Sequence, residues 1–106
     1  MQSKPKKLYL CGKMTGLPDD NYPEFNRIAA ILRSKGYEVV NPAELKPIGT
    51  NDWFGYMRAG LSEMLKCDAV AWHGTHEQIR TSDGAVEEIY NAKLYKIPVS
   101  YWEEYT

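Results

Sequence analysis

Asp68-Ala69-Val70-Ala71-Trp72, followed after a polar loop by Thr81-Ser82-Asp83-Gly84-Ala85-Val86-Glu87-Glu88, is the stretch whose reading decides the fold. The first run is apolar enough for a strand buried on both faces of a parallel sheet. The second opens a segment of helical spacing, from about Ser82 to Tyr95. Its Ser, its Gly two residues on and its Glu in the next turn are the chemically telling residues. A hydroxyl and free backbone N–H groups at a helix start favour a bound anion. The same positive end favours an ionised first-turn carboxylate, the form a nucleophile requires. A phosphate cradle beside such a carboxylate points to a site that holds a nucleotide and attacks its sugar.

Outward from that stretch, strands and helices alternate. Lys7-Leu8-Tyr9-Leu10-Cys11 is β-favouring and ends at Gly12, before a loop broken by Gly16, Pro18, Asp19 and Asp20. Asp20 or Asn21 caps the first helix, with Pro23 in its first turn and Glu24 completing a capping box. Phe25, Ile28, Ile31 and Leu32 share one face, and Gly36 ends the helix. Tyr37 to Asn41 forms the second strand, stopped by Pro42. After a loop to Asn51, Asp52 caps a second helix whose buried stripe is Trp53, Met57, Leu61, Met64 and Leu65. His73 to Arg80 reads as a polar loop, and Ile97 to Tyr101 as the last strand.

This order predicts an α/β three-layer sandwich, Rossmann-like or flavodoxin-like. An open parallel sheet of about four or five strands carries helices on both faces. Ligands in such sheets bind beyond the carboxyl ends of the strands. Those ends are Gly12 to Gly16, Asn41 to Glu44, and His73 to Ser82.

Composition narrows the function classes. The 106 residues make one domain, residues 1–106, with 43% apolar and 25% charged residues. A formal net charge of -1 argues against a nucleic-acid-binding surface, and Lys4, Lys6 and Lys7 read as a solvated tail. No run reads as a signal peptide or a membrane span, so a cytoplasmic protein with no membrane partner is expected. Cys11 and Cys67 read as buried reduced thiols, and nothing near Cys11 in sequence suggests an activating base. His73, His76 and Glu77 lack the further ligands a zinc site needs, so neither a metal nor a cofactor is expected. They suit contacts to a base, or plain loop polarity. The aromatic tail Tyr101-Trp102-Glu103-Glu104-Tyr105 suggests burial against another subunit, in a homodimer or larger homo-oligomer.

Three segments carry a resemblance: Tyr9 to Gly16, Asn21 to Phe25, and Leu32 to Glu44. With Cys67-Asp68-Ala69-Val70 and Ser82-x-Gly84-Ala85-x-x-Glu88-x-x-x-Ala92, they resemble a small domain family common in phages and bacteria. That family is similar to the nucleoside 2-deoxyribosyltransferases and the 2'-deoxynucleoside 5'-monophosphate N-glycosidases. The resemblance implies that Glu88 attacks the anomeric carbon and forms a covalent sugar–enzyme intermediate, oriented by Tyr9. Ser82 and the Gly84 backbone match the positions that hold a 5'-phosphate or the equivalent end of the sugar. Gly12, Lys13, Met14, Thr15 and Gly16 match the loop that lines the nucleotide pocket. The relatives also carry an Asp that helps protonate the departing base, eight residues before the strand-three Asp. Gly60 stands at that position here, with Glu63 one helical turn away.

The expected activity is therefore cleavage or transfer at the N-glycosidic bond of a 2'-deoxynucleoside or its 5'-monophosphate. The expected partner is that small molecule. A second reading is a nucleotide-binding module that has lost chemistry through Gly60 and sequesters a nucleotide or a nucleotide-derived signal. A third is an interaction protein acting through its aromatic tail.

Overall fold

Residues 4–106 are described by a computed structural model. Four parallel strands form one sheet in the order β2-β1-β3-β4. They are β1 (Lys7–Cys11), β2 (Glu38–Val40), β3 (Ala69–Trp72) and β4 (Val99–Tyr101). Tyr9 pairs with Val40 on one side and Val70 on the other. Four helices complete the domain: α1 (Tyr22–Ser34), α2 (Trp53–Met64), α3 (His76–Arg80) and α4 (Asp83–Leu94). The step from β1 to β2 runs one way across the sheet, and the steps to β3 and β4 run the other way. Right-handed crossovers therefore put α1 on one face and α2 with α4 on the opposite face.

Strand alternation builds the three layers. Leu8, Leu10, Ala69 and Ala71 point to the α1 side, where they meet Phe25, Ile28, Ala29 and Leu32. Tyr9, Cys11 and Val70 point the other way, against Met64 of α2 and Ala85 and Ala92 of α4. Asp68 lies just before β3, where its carboxylate accepts the N–H groups of Lys6 and Lys7 at 2.9 and 3.0 Å. It thereby ties the start of β1 to the start of β3.

Several local expectations are corrected. Asn21 adopts a left-handed conformation (φ 60°) and makes no side-chain cap. Its amide instead donates to the Lys13 carbonyl at 3.0 Å, fastening the first loop to the start of α1. Glu24 pairs with Arg27 one turn on rather than closing a capping box. Asp52 does cap α2, accepting the Gly55 N–H at 3.1 Å. Yet Trp53 and Leu65 are 43% and 47% exposed, while Gly55, Ala59, Gly60 and Met64 are the buried residues of α2. Small residues turn this face inward because they let the helix backbone approach its neighbours closely. At Gly55 a Cβ would lie 1.7 Å from the Thr50 carbonyl oxygen.

The expected loop from His73 to Arg80 contains α3, started by a capping box between Thr75 and Gln78. The aromatic tail folds back on its own chain. Trp102 is buried, Tyr101 packs edge-on to Trp72 at 4.7 Å, and Tyr105 meets Tyr37 at 5.8 Å. Those aromatics take part in the protomer's own packing.

Candidate active site

A cleft of about 620 Å³ opens at the carboxyl ends of the strands, a volume suited to a ligand of nucleotide size. Tyr9 and Glu88 meet in it, although 79 residues separate them in sequence. Tyr9 reaches the site from the middle of β1, fully buried, and its hydroxyl donates to Glu88 Oε2. Glu88 sits in the second turn of α4, not the first, and is only 7% exposed. That corrects the expectation of a helix end holding the carboxylate ionised. Burial raises the Glu88 pKa to about 7, against the opposing hydrogen bonds from Tyr9 and Cys11. Near neutrality the group divides between a protonated and an ionised form.

Two neighbours shape this pair in ways a linear reading misses. Cys11, on the same strand face as Tyr9, brings its thiol to the Glu88 carboxyl and lies 3.9 Å from the Ala85 carbonyl oxygen. Burial pushes that thiol well up, so it is a neutral partner of Glu88 rather than a nucleophile. The alternation of Tyr9 and Cys11 was the available signal. Gly60 of α2 faces the pair directly. A Cβ there would lie 2.6 Å from Tyr9 Oη and 3.0 Å from Glu88 Oε2. Glu63 does not line the cleft and lies 3.5 Å from Lys66.

The start of α4 forms the second half of the site. Ser82 is its N-cap, with the hydroxyl oxygen accepting the Ala85 N–H at 3.2 Å. The hydroxyl proton and the first-turn N–H groups of Asp83 and Gly84 have no intrahelical use. Lys13 crosses from the first loop and donates to Thr81 Oγ1 at 2.9 Å, one residue before that cap. An ammonium and a helix start thus converge, the arrangement that binds a phosphate. Gly12, Met14 and Thr15 also line the cleft, whereas Gly16 does not and serves as a turn with φ 91°.

Opposite this cradle stand aromatic walls. Tyr22, Phe25, Trp53 and Tyr56 line the cleft with Met57, together with Asp20, Asp52 and Asp83. Trp53 and Met57 were expected on the buried stripe of α2 and Phe25 on that of α1, not in a cleft wall. The others come from turns and helix starts whose direction depends on packing.

Neither histidine joins the site. His73 lies under Gly12, where a Cβ would be 2.3 Å from its Nε2, and packs edge-on to Phe25 at 4.3 Å. Neither His73 ring nitrogen has a hydrogen-bond partner among the described residues, and burial lowers its pKa to about 4. His76 packs on Trp72 at 4.9 Å. No group of three or more His, Cys, Asp or Glu is placed to hold a metal among the described residues. No helix there is long and apolar enough to cross a membrane.

The two buried groups make stability depend on pH in opposite senses. Glu88 binds its proton more tightly when folded (about 7 against 4.5), so its contribution is complete below 4.5 and is lost as pH rises through 7. His73 binds its proton more weakly when folded (about 4 against 6.5), so its contribution is complete above 6.5 and is lost as pH falls through 4. Each is worth roughly 3 kcal/mol. Denaturant unfolding followed from pH 4 to 8 is expected to show little net change between about 4.5 and 6.5, where the two slopes oppose. A steady fall across that window in the parent protein would refute the His73 contribution.

A family model described as "Domain of unknown function (DUF4406)" matches residues 6–101. The chain belongs to that family. The matched region runs from the residue before β1 to the end of β4 and contains every residue that lines the cleft. No curated protein matches the chain.

Proposed function

We propose that this protein cleaves the N-glycosidic bond of a 2'-deoxynucleoside 5'-monophosphate. The observation that carries the reading is the buried Tyr9–Glu88 pair in the same cleft as the Lys13–Ser82 cradle. The cradle takes the phosphate, which sets the sugar between it and Glu88. The ionised Glu88 attacks C1', and the bond from C1' to the base nitrogen breaks with its electron pair leaving on the base. The base takes a proton from water, because Gly60 offers none and Glu63 lies outside the cleft. Water then attacks C1', the sugar–Glu88 ester bond breaks, and the surplus proton returns to solvent. Two displacements at one carbon retain configuration. Tyr9 holds the carboxyl in line throughout, and release should rise with pH through about 7 as Glu88 ionises.

Liberation of free base, followed by chromatography over a panel of 2'-deoxynucleosides and their 5'-monophosphates, tests the reaction. An added acceptor base separates hydrolysis from deoxyribosyl transfer. Lys13→Ala is expected to weaken use of monophosphates about 10- to 100-fold in kcat/KM and to spare unphosphorylated nucleosides, since one charge-assisted contact is lost. Equal losses on both substrate types would remove the phosphate from this reading.

Gly60 supports a second reading, in which the cleft binds a nucleotide without turning it over. Nucleotide-dependent thermal stabilisation with no base release would favour that module. The absence of both would overturn the two readings together.

A further inference from the structure

We propose that the base released in this cleft already carries a positive charge, as an N7-alkylated purine or a pyridinium does, and leaves without needing a proton. The inference rests on the N-glycosidase reading and names its substrate class. Its first ground is Gly60. A neutral base leaves C1' as an anion unless an acid protonates it, and that help is typically worth about 10²–10⁴-fold. Position 60 has no room for such an acid, since even a Cβ would lie 2.6 Å from Tyr9 Oη and 3.0 Å from Glu88 Oε2. Burial, with Glu88 beside it, holds the Tyr9 hydroxyl well above its ordinary pKa, so it is a poor proton donor to a base. Asp52 is held below the usual carboxylate range by Thr50 and the Gly55 N–H, and stays ionised.

A fixed positive charge on the base removes the requirement. As the Glu88 carboxylate bonds to C1', the bond from C1' to the ring nitrogen breaks and its electron pair neutralises the ring. The base departs as a neutral molecule. Water then cleaves the sugar–Glu88 ester, and one proton goes to solvent.

The walls of the cleft suit such a ring. Tyr22, Phe25, Trp53 and Tyr56 line it, and aromatic faces attract a cation. Asp20 and Asp52 stand among these aromatics in the lining. With Asp83 and Glu88 they make four lining carboxylates, against the single ammonium of Lys13. Lys13 is held at Thr81 on the cradle side, where the phosphate would take it. A nucleotide with a neutral base would add negative charge to that excess, whereas a cationic base offsets part of it.

Initial rates of base release test this on three 2'-deoxynucleoside 5'-monophosphates, those of 7-methylguanine, nicotinamide and guanine. Spontaneous loss is subtracted using Glu88→Gln. One of the two cationic substrates is expected to react with kcat/KM at least about 100-fold above that of the guanine nucleotide, and the faster one identifies the ring. A smaller excess for both overturns this inference alone, because release of guanine would leave the N-glycosidase reading standing. Release from none of the three overturns both. Equilibrium binding to Glu88→Gln separates recognition from reactivity. That variant is expected to hold the faster cation at least about 5-fold more tightly than 2'-deoxyguanosine 5'-monophosphate. Adding Asp20→Asn and Asp52→Asn should remove the preference. Asparagine keeps the α2 cap and tolerates the left-handed backbone at position 20 (φ 53°), so the fold should survive. Equal affinities in Glu88→Gln, or a preference untouched by the two asparagines, would overturn the inference as well.

Discussion

Glu88→Gln is expected to abolish base release, by about 10⁴-fold or more, while nucleotide binding persists. Glutamine keeps the shape of the side chain and can still accept the Tyr9 hydrogen bond, so the cleft should survive. What is lost is a buried lining carboxylate that accepts the Tyr9 hydroxyl. The same substitution has a thermodynamic signature. A buried carboxyl with a pKa of about 7 costs stability once it ionises, and glutamine removes that cost. At pH 8 the variant should be more stable than the parent by up to roughly 3 kcal/mol. At pH 4.5 the difference should nearly vanish. Between those limits the variant should gain stability with rising pH up to about 6.5, because only the His73 slope remains. Release at the parent rate would eliminate Glu88 as nucleophile, and a pH-independent stability difference would eliminate its burial as the cause. Greater stability bought by inactivation is the usual relation at a functional site.

Gly60→Ala carries the second large effect, and it runs against ordinary helix propensity. In an unconstrained helix interior alanine is favoured over glycine by about 1 kcal/mol. Here the new methyl would meet Tyr9 Oη at 2.6 Å and Glu88 Oε2 at 3.0 Å. Tyr9 is fully buried in the layer between sheet and helices, so its ring has little room to retreat. Overpacking of this kind costs about 1–3 kcal/mol, which outweighs the propensity gain. A displacement of the pair by about 1 Å should also lower base release about 100-fold. Denaturant unfolding and initial rates measure the two effects separately. A variant that is more stable and fully active would show that the helix can move away from the pair. Gly60→Asp should be worse still, because a second carboxyl would press on Glu88 and disfavour its ionisation. The missing acid cannot simply be put back on this backbone.

The order of strands and helices was legible because it rests on local patterns. Apolar runs at Leu8–Cys11 and Ala69–Trp72, and the helical spacing of Phe25, Ile28 and Leu32, each report on a few adjacent residues. Ser82 as the start of α4 and Asp52 as the start of α2 were legible for the same reason, since a cap bonds only a few residues ahead. Asn21 was misread because its side chain serves a carbonyl in a loop rather than its own helix. On the expected stripe of α2, Met64 is buried and Leu61 packs on the core, whereas Trp53 and Leu65 are exposed because Gly55 and Gly60 let the helix backbone itself meet its neighbours. The tail's contacts with Trp72 and Tyr37 were not legible, because those partners are distant in the chain.

By itself the sequence determined the parallel α/β class and the loops at the carboxyl ends of the strands. Through its resemblance it also singled out Tyr9, Ser82 and Glu88 as candidate site residues. Tertiary structure alone decided the protonation behaviour of Glu88, the thiol of Cys11 beside it, and the backbone of Gly60 against the pair. It also decided that Lys13 reaches the start of α4. Periodicity and capping depend on neighbours in the chain, whereas burial and close approach depend on which surfaces the fold presses together.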